Sequence, residues 1–290
     1  MPDSGPDSRD ETRATPFQFL HAVSLLGHKS RIEKYKRAIE NSVHEDSLVV
    51  DIGSGSGILG MLAAKAGAER VICVEINEDA LAYSRRVAHK NGLASRMEFF
   101  SGDFRDFVPD SRADIVICEM LSSFMLVEQQ IPAMLHARKH ILKPGGILLP
   151  NHLCIYMVPV QCDAVWSRFN HDGIEFQPVP QTVDRRVARD LADLAQVREF
   201  TLGSNDESQI VDESLDYTVC SDGILHGFVG MFEADLIDGT KLSMEDGWRE
   251  LFMPVESPLR VKKGQSVRAH VRFIPGAYDT LRLDAQVSAQ

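Results

Sequence analysis

Between positions 48 and 150, short β-branched runs alternate with longer segments of helical period, and no other feature restricts the fold as strongly. The runs lie at 48–51, 70–75, 97–100, 114–118 and 147–150. Between them, 58–65, 78–90 and 128–141 carry apolar residues at helical spacing. Gly67, Asn91-Gly92 and Lys143-Pro144-Gly145-Gly146 stand as their stop signals. Strict alternation of this kind predicts a parallel sheet covered by helices on both faces. One more helix is expected over 17–41, where Leu25, Leu26, Ile32, Tyr35 and Ile39 recur between basic residues.

After Pro150 the pattern changes. Strands are expected at 153–160, 215–219, 223–236, 267–273 and 280–287, with a turn at Asp238-Gly239 and a single helix at 187–196. This predicts a mainly antiparallel β region, a barrel or sandwich, over 151–290. Residues 1–15, rich in Asp, Ser, Pro and Arg, are expected to be disordered.

Bulk properties exclude several functions. A formal net charge of −11 argues against nucleic acid as a partner, because phosphates need a basic surface; it suits a cationic substrate. Cys73, Cys118, Cys154, Cys162 and Cys220 form no CxxC pair, which reads as reduced thiols and a cytoplasmic location. His136 and His140 are four apart without a third ligand nearby, so no metal is expected. No apolar stretch reaches membrane-spanning length, and no signal core opens the chain, so no membrane association is expected.

The first run leads into Asp51-Ile52-Gly53-Ser54-Gly55-Ser56-Gly57 and then a helix, the context that a nucleotide-binding turn requires. Gly53 and Gly55 let the backbone approach a ligand where a Cβ would stand in the way. Glu75, at the end of the second run, suits two ribose hydroxyls. Asp103 and Phe104, after the third, offer an acceptor for an adenine amino group and an apolar wall. An acid at position 51 disfavours a pyrophosphate and favours the ammonium of a methionine moiety. S-adenosylmethionine is therefore the expected cofactor, ahead of NAD.

The fourth run ends in Cys118-Glu119-Met120-Leu121-Ser122-Ser123-Phe124-Met125-Leu126-Val127-Glu128. Two closely held carboxylates suit a planar cation with several N–H donors, and guanidinium is that cation. With a methyl donor beside them, Glu119 and Glu128 point to methyl transfer onto a guanidino nitrogen.

Residues 49–77 and 114–150 resemble the catalytic core of the protein arginine N-methyltransferases. The segments 225–232, Trp248 and 261–265 look like that family's β-barrel. The resemblance implies a Rossmann-like methyltransferase domain over 16–150 and a β-barrel substrate domain over 151–290. It implies that Arg31 binds the cofactor carboxylate and that Asp51, Gly53 and Gly55 line the methionine part. Glu75 would take the ribose, and Asp103 with Phe104 the adenine. Glu119 and Glu128 match the family's paired glutamates, and Trp248 matches the tryptophan of its Thr-His-Trp loop.

The chain also departs from the family. Gly247 precedes Trp248 where a histidine is usual, Met120 replaces a tryptophan, and Ser123 replaces a tyrosine. Met120 and Trp248 are thus expected at an altered substrate entrance. The family's dimerisation arm falls in 161–214, poorly matched here, which leaves a homodimer as an expectation only. Three activities stay open: methylation of arginine in a protein, methylation of a small guanidine such as free arginine, and S-adenosylmethionine binding without catalysis.

Overall fold

The computed structural model describes residues 19–203 and 209–288; the N-terminal stretch read as disordered lies outside them. Strands β1 (Leu48–Ile52), β2 (Arg70–Glu75), β3 (Met97–Ser101), β4 (Ala113–Cys118) and β5 (Leu142–Leu149) form one parallel sheet in the order β3-β2-β1-β4-β5. Central strand β1 is buried at every position, and edge strand β3 at only one. The continuous apolar runs follow from this, because helices cover both faces of a parallel sheet. Helices α1 (Phe19–Ser24), α2 (Lys29–Ser42), α3 (Ile58–Ala66), α4 (Glu78–Lys90) and α5 (Gln130–His136) supply the cover.

The chain order reverses between β1 and β4, which pair side by side with Ile52 opposite Cys118. At such a switch point the loops leave in opposite directions and open a crevice at the carboxyl ends of the strands. The glycine loop leaves β1 there, and the glutamate loop leaves β4.

The antiparallel half contains a seven-stranded sheet and a three-stranded sheet. In the larger, Gly223–Asp235 lies between β6 (His152–Gln161) and Glu250–Val261. In the smaller, Ser266–Ile274 lies between Val211–Thr218 and Ala277–Val287. Both halves share one hydrophobic core, in which Val50 and Ile117 of the parallel sheet belong with Phe124, Phe228 and Phe273. A second, smaller core behind β6 gathers Val160, Phe169, Val229 and Phe252.

Four expectations need correction. The helix expected at 17–41 is broken among the described residues: α1, a 3₁₀ turn at Leu25–Gly27, and α2. The helix expected at 187–196 does not form; Arg189–Asp190 and Ala195–Thr201 instead pair with β6, whose edge offers a full ladder of backbone partners. The third interior helix starts at Gln130 and ends in a π-turn at Ala137–Ile141. The Lys-Pro-Gly-Gly stop lies inside β5, as an irregularity in its pairing with β4.

The longest strand that went unpredicted is Glu250–Val261, which carries Pro254 and Pro258; the short strands Gln181–Val183 and Lys241–Ser243 were also unforeseen. The pairing of Glu250–Val261 jumps from Leu225↔Leu259 to Gly227↔Pro254, so Val255 to Pro258 bulge away from the ladder and take Pro258 out of it, while Pro254 stays opposite Gly227.

Candidate active site

Glycine's special conformations shape the cofactor side of the crevice. Gly53, Gly55 and Gly57 all have positive φ (67°, 50° and 77°), and other residues adopt that region only under strain. A Cβ on Gly53 would stand 2.8 Å from Met120 Sδ, and one on Gly55 would stand 3.1 Å from Ala22 O of α1. The loop is thus walled by Met120 on one side and α1 on the other.

Two carboxylates fix the loop from below. Asp51 is buried, and its Oδ2 accepts the Gly60 N–H at 2.9 Å. Burial raises its pKa to about 7, the Gly60 hydrogen bond lowers it, and the charges of Glu75 and Glu119 raise it further. Glu75 accepts the Gly55 N–H through Oε2 and the Asn77 N–H through Oε1, each at 2.8 Å. It therefore ties the glycine loop to the next strand end. Asp103 caps the short turn Phe104–Asp106, and Arg105 pairs with both its oxygens at 3.3 Å. Phe104 is buried, with its ring edge-on to His136 of α5.

The glutamate loop is held by contacts that its sequence does not announce. Phe124 and Met125 have φ of 60° and 52°, unusual for non-glycine residues and a sign of backbone strain. Their side chains are fully buried, and Phe124 packs over Gly230 and beside Phe273 at 5.1 Å. Ser122 Oγ accepts the Glu128 N–H at 3.1 Å, and Gln130 Oε1 accepts the Met120 N–H at 2.8 Å. Trp248 Nε1 donates to Leu121 O at 2.7 Å, and Tyr35 donates to Cys118 O at 3.2 Å. Ser122, Gln130 and Tyr35 thus join the site as positioning residues. For Ser122 and Gln130 the signal available in sequence was polar side chains in and just after an otherwise apolar loop; Tyr35, on α2, gave none.

At the crevice, Arg31 of α2 donates from Nη1 to Glu119 Oε1 at 3.3 Å, while its guanidinium carbon stands 3.3 Å from the Trp248 ring centroid. The indole face and the carboxylate therefore already hold one guanidinium, and it belongs to the chain itself. Burial raises the pKa of Glu119 to about 7 against the lowering effect of Arg31. It raises Glu128 to about 8, with the charge on Glu119 adding to the rise and Arg31 again opposing. A carboxylate whose charge raises the proton affinity of another shares an electrostatic site with it.

Two imidazoles flank this cluster. His21 Nε2 of α1 lies 3.9 Å from Glu128 Oε1. His28, at the start of α2, fills the space beside Gly247, where a Cβ would fall 2.3 Å from its Nδ1. Burial first, then Arg31, lowers the pKa of both. The loop that lacks a histidine before Trp248 therefore has an imidazole against it, delivered from α2. Behind it, Asp246 accepts Ser30 Oγ at 2.5 Å and Lys34 Nζ at 2.7 Å, which joins α2 to the Trp248 loop.

A cofactor bearing a free carboxylate fits what remains. Arg31 Nε is buried with no hydrogen-bond partner among the described residues, and so are the hydroxyls of Ser54 and Ser56 in the glycine loop. An unsatisfied buried guanidinium N–H is costly, and a carboxylate ligand would satisfy it.

Residues 49–146 match a family model described as a methyltransferase domain. The probable protein arginine N-methyltransferase 6 of Arabidopsis thaliana is 35% identical over 154 residues, which cover 52% of this chain and 34% of that protein. Protein arginine N-methyltransferase 2 of Dictyostelium discoideum is 28% identical over 237 residues, 77% of this chain and 45% of that one. Over half or more of its length the chain is thus similar to proteins named protein arginine N-methyltransferases. It spans a third to a half of the length of these two relatives.

Among solved structures, the Trypanosoma brucei PRMT1 enzyme–prozyme heterotetrameric complex with AdoHcy superposes with a TM-score of 0.76 at 21% identity. It covers 93% of this chain and 98% of its own. Arabidopsis thaliana protein arginine methyltransferase 10 gives the same TM-score at 17% identity and the same coverage. The arginine methyltransferase fold, a Rossmann-like sheet followed by antiparallel strands, is thus shared across the chain despite low identity.

Proposed function

We propose that this protein transfers a methyl group from S-adenosylmethionine to a guanidino nitrogen of arginine in a polypeptide. The observation that carries the reading is that Glu119 and the Trp248 ring flank the Arg31 guanidinium next to Met120 of the glycine-loop wall, with Glu128 within electrostatic reach of both Glu119 and Arg31. The relatives are named for that activity, and one structural neighbour holds AdoHcy.

In this reading Arg31 Nε, Asp51 and the glycine loop hold the amino-acid part of the cofactor, and Glu75 its ribose. When bound, the cofactor supplies a sulfonium-activated methyl group. The protein's task is then to orient and polarise the acceptor. Guanidinium is a poor nucleophile because its positive charge is spread over three nitrogens. Glu128, together with the Glu119 oxygen that Arg31 leaves unengaged, draws that charge toward the nitrogens it contacts and fixes the plane. The remaining nitrogen is then presented to the methyl carbon. Alignment and preorganised charge of this kind are worth on the order of 7–11 kcal/mol in well-oriented systems. Glu128 and His21, with proton affinities near neutral and below the free-imidazole range respectively, offer late acceptors for the proton that the methylated nitrogen loses.

The partner is an arginine-containing segment, and self-association is proposed as well. Ile174, Phe176 and Val179 stand 63%, 53% and 49% exposed beside the hairpin Asn170–His171/Ile174–Glu175, an apolar ridge that a second copy would cover. Cytoplasmic location is proposed on the free thiols, four of them buried.

The decisive experiment offers an Arg-Gly-rich peptide and free arginine in parallel, with S-adenosylmethionine, and reads product by mass spectrometry. Methylated peptide is expected. Methylation of free arginine alone would move the substrate to a small guanidine, and cofactor binding without either product would end the catalytic reading.

A further inference from the structure

Sheet register brings together a second set of chemically active side chains, none of them in the glycine or glutamate loop. On β6, His152 and Cys154 lie two residues apart and share one face. Across one edge Cys154 pairs with Glu199 of Ala195–Thr201; across the other, His152 pairs with Asp235 and Cys154 with Glu233. His152 Nε2 lies 2.7 Å from Glu199 Oε1, and its Nδ1 lies 3.4 Å from Asp235 Oδ2. The ligand atoms of His152, Cys154 and Glu199 all fall within 4.8 Å of one another.

We propose that His152 Nε2, the Cys154 thiolate and the Glu199 carboxylate form a zinc site, with Asp235 orienting the imidazole through Nδ1–H and a water in the fourth position. A cross-strand His–Glu pair accounts for the 2.7 Å contact alone. It does not account for a buried thiol set directly between two carboxylates, nor for a second carboxylate on the other imidazole nitrogen. Mixed N, S and O donors of intermediate softness match Zn²⁺ better than Mg²⁺ or Ca²⁺. An imidazole whose distal N–H meets a carboxylate is the usual outer arrangement of a zinc-bound histidine.

Charge favours the same ion. Glu199, Glu233 and Asp235 gather here, and Lys241 is the lysine that pairs with the latter two. His152 and Asp235 also line a groove with Asn151 and Thr201, whose wall also carries Arg112, Arg138 and Lys143. Binding releases the proton of the Cys154 thiol to solvent. The ion would staple Ala195–Thr201 to β6 where the chain leaves the parallel sheet. The expectation of no metal rested on helical His spacing; these ligands meet through strand register instead.

The test strips the full chain with EDTA and titrates Zn²⁺ against a chromophoric chelator, with Co²⁺ as a spectroscopic substitute. One metal per chain and a thiolate-to-cobalt charge-transfer band are expected. Cys154→Ser should abolish the band, Asp235→Asn should weaken zinc about tenfold, and Cys220→Ser should change neither. Glu199→Gln, at a side chain that is 54% exposed, should lower zinc affinity at least about tenfold while leaving the metal-free melting temperature unchanged. Absence of a stoichiometric site, or undiminished affinity in Glu199→Gln, would overturn the proposal.

Discussion

Arg31, Glu119, Glu128 and Trp248 form the smallest unit on which the proposed chemistry depends. Both glutamates bind protons more tightly than a free carboxylate, so the clamp is weakened at low pH and strengthened as pH rises. For a cationic acceptor, kcat/KM should climb as pH passes through 7 to 8, and Glu128→Gln should flatten that climb while lowering turnover at least about tenfold. Cofactor affinity measured by calorimetry should stay near normal, which separates a clamp from a binding residue. Stability should move the other way. A carboxylate raised from 4.5 to about 8 by folding takes up protons in the native state, so its contribution turns unfavourable as pH rises through that window. Glu128→Gln should therefore melt higher than the wild type at pH 8 and equally at acid pH. Equal melting temperatures at pH 8 would show that Glu128 is better solvated than the geometry implies.

At the scale of elements, the loop between β4 and α5 is the joint of the molecule. Its strained Phe124 is tolerated because Gly230, on the antiparallel strand Gly223–Asp235, leaves room for the ring. A Cβ at position 230 would meet Phe124 Cδ2 at 2.6 Å and Met253 Cε at 3.0 Å. Gly230→Ala should cost about 1–3 kcal/mol by overpacking, read as a lower denaturation midpoint. It should also reduce turnover at temperatures well below melting, since the displaced ring carries Glu119 and Glu128 on either side of it. This coupling was not legible in sequence, where Gly230 is one glycine among several in a strand and Phe124 an ordinary loop aromatic. What was legible followed from local rules: the five parallel strands, the glycine turn and the glutamate pair all announce themselves within a few residues. The failures came where a distant partner decided the outcome. Residues 187–196 have helical spacing yet complete the edge of β6, and Glu250–Val261 hides behind two prolines, one of which its bulge takes out of the ladder. His28 gave no signal at all, because its role depends on the missing side chain at Gly247 across the fold.

For the whole molecule, the shared core decides what must stay together. Residues of both halves pack into one cluster, so the sheet bearing the cofactor loop and the strands bearing Trp248 cannot shift independently without breaking buried contacts. The segment near Ile174, Phe176 and Val179 is different: it projects apolar side chains from a short hairpin that the core does not use. A monomer gains nothing from exposing them, whereas a second copy would remove them from water at about 25 cal/mol per Å² of apolar surface. If this ridge is the contact between copies, Phe176→Asp should convert a dimer to a monomer in light-scattering chromatography with the melting temperature of the isolated chain unchanged. Turnover on the peptide should then show whether assembly matters to the crevice. Loss of activity with intact cofactor binding would mean that assembly supports the acceptor side of the crevice, and unchanged activity would confine the ridge to assembly. A wild-type chain that runs as a monomer at all concentrations tested would remove self-association from the reading and leave the arginine clamp untouched.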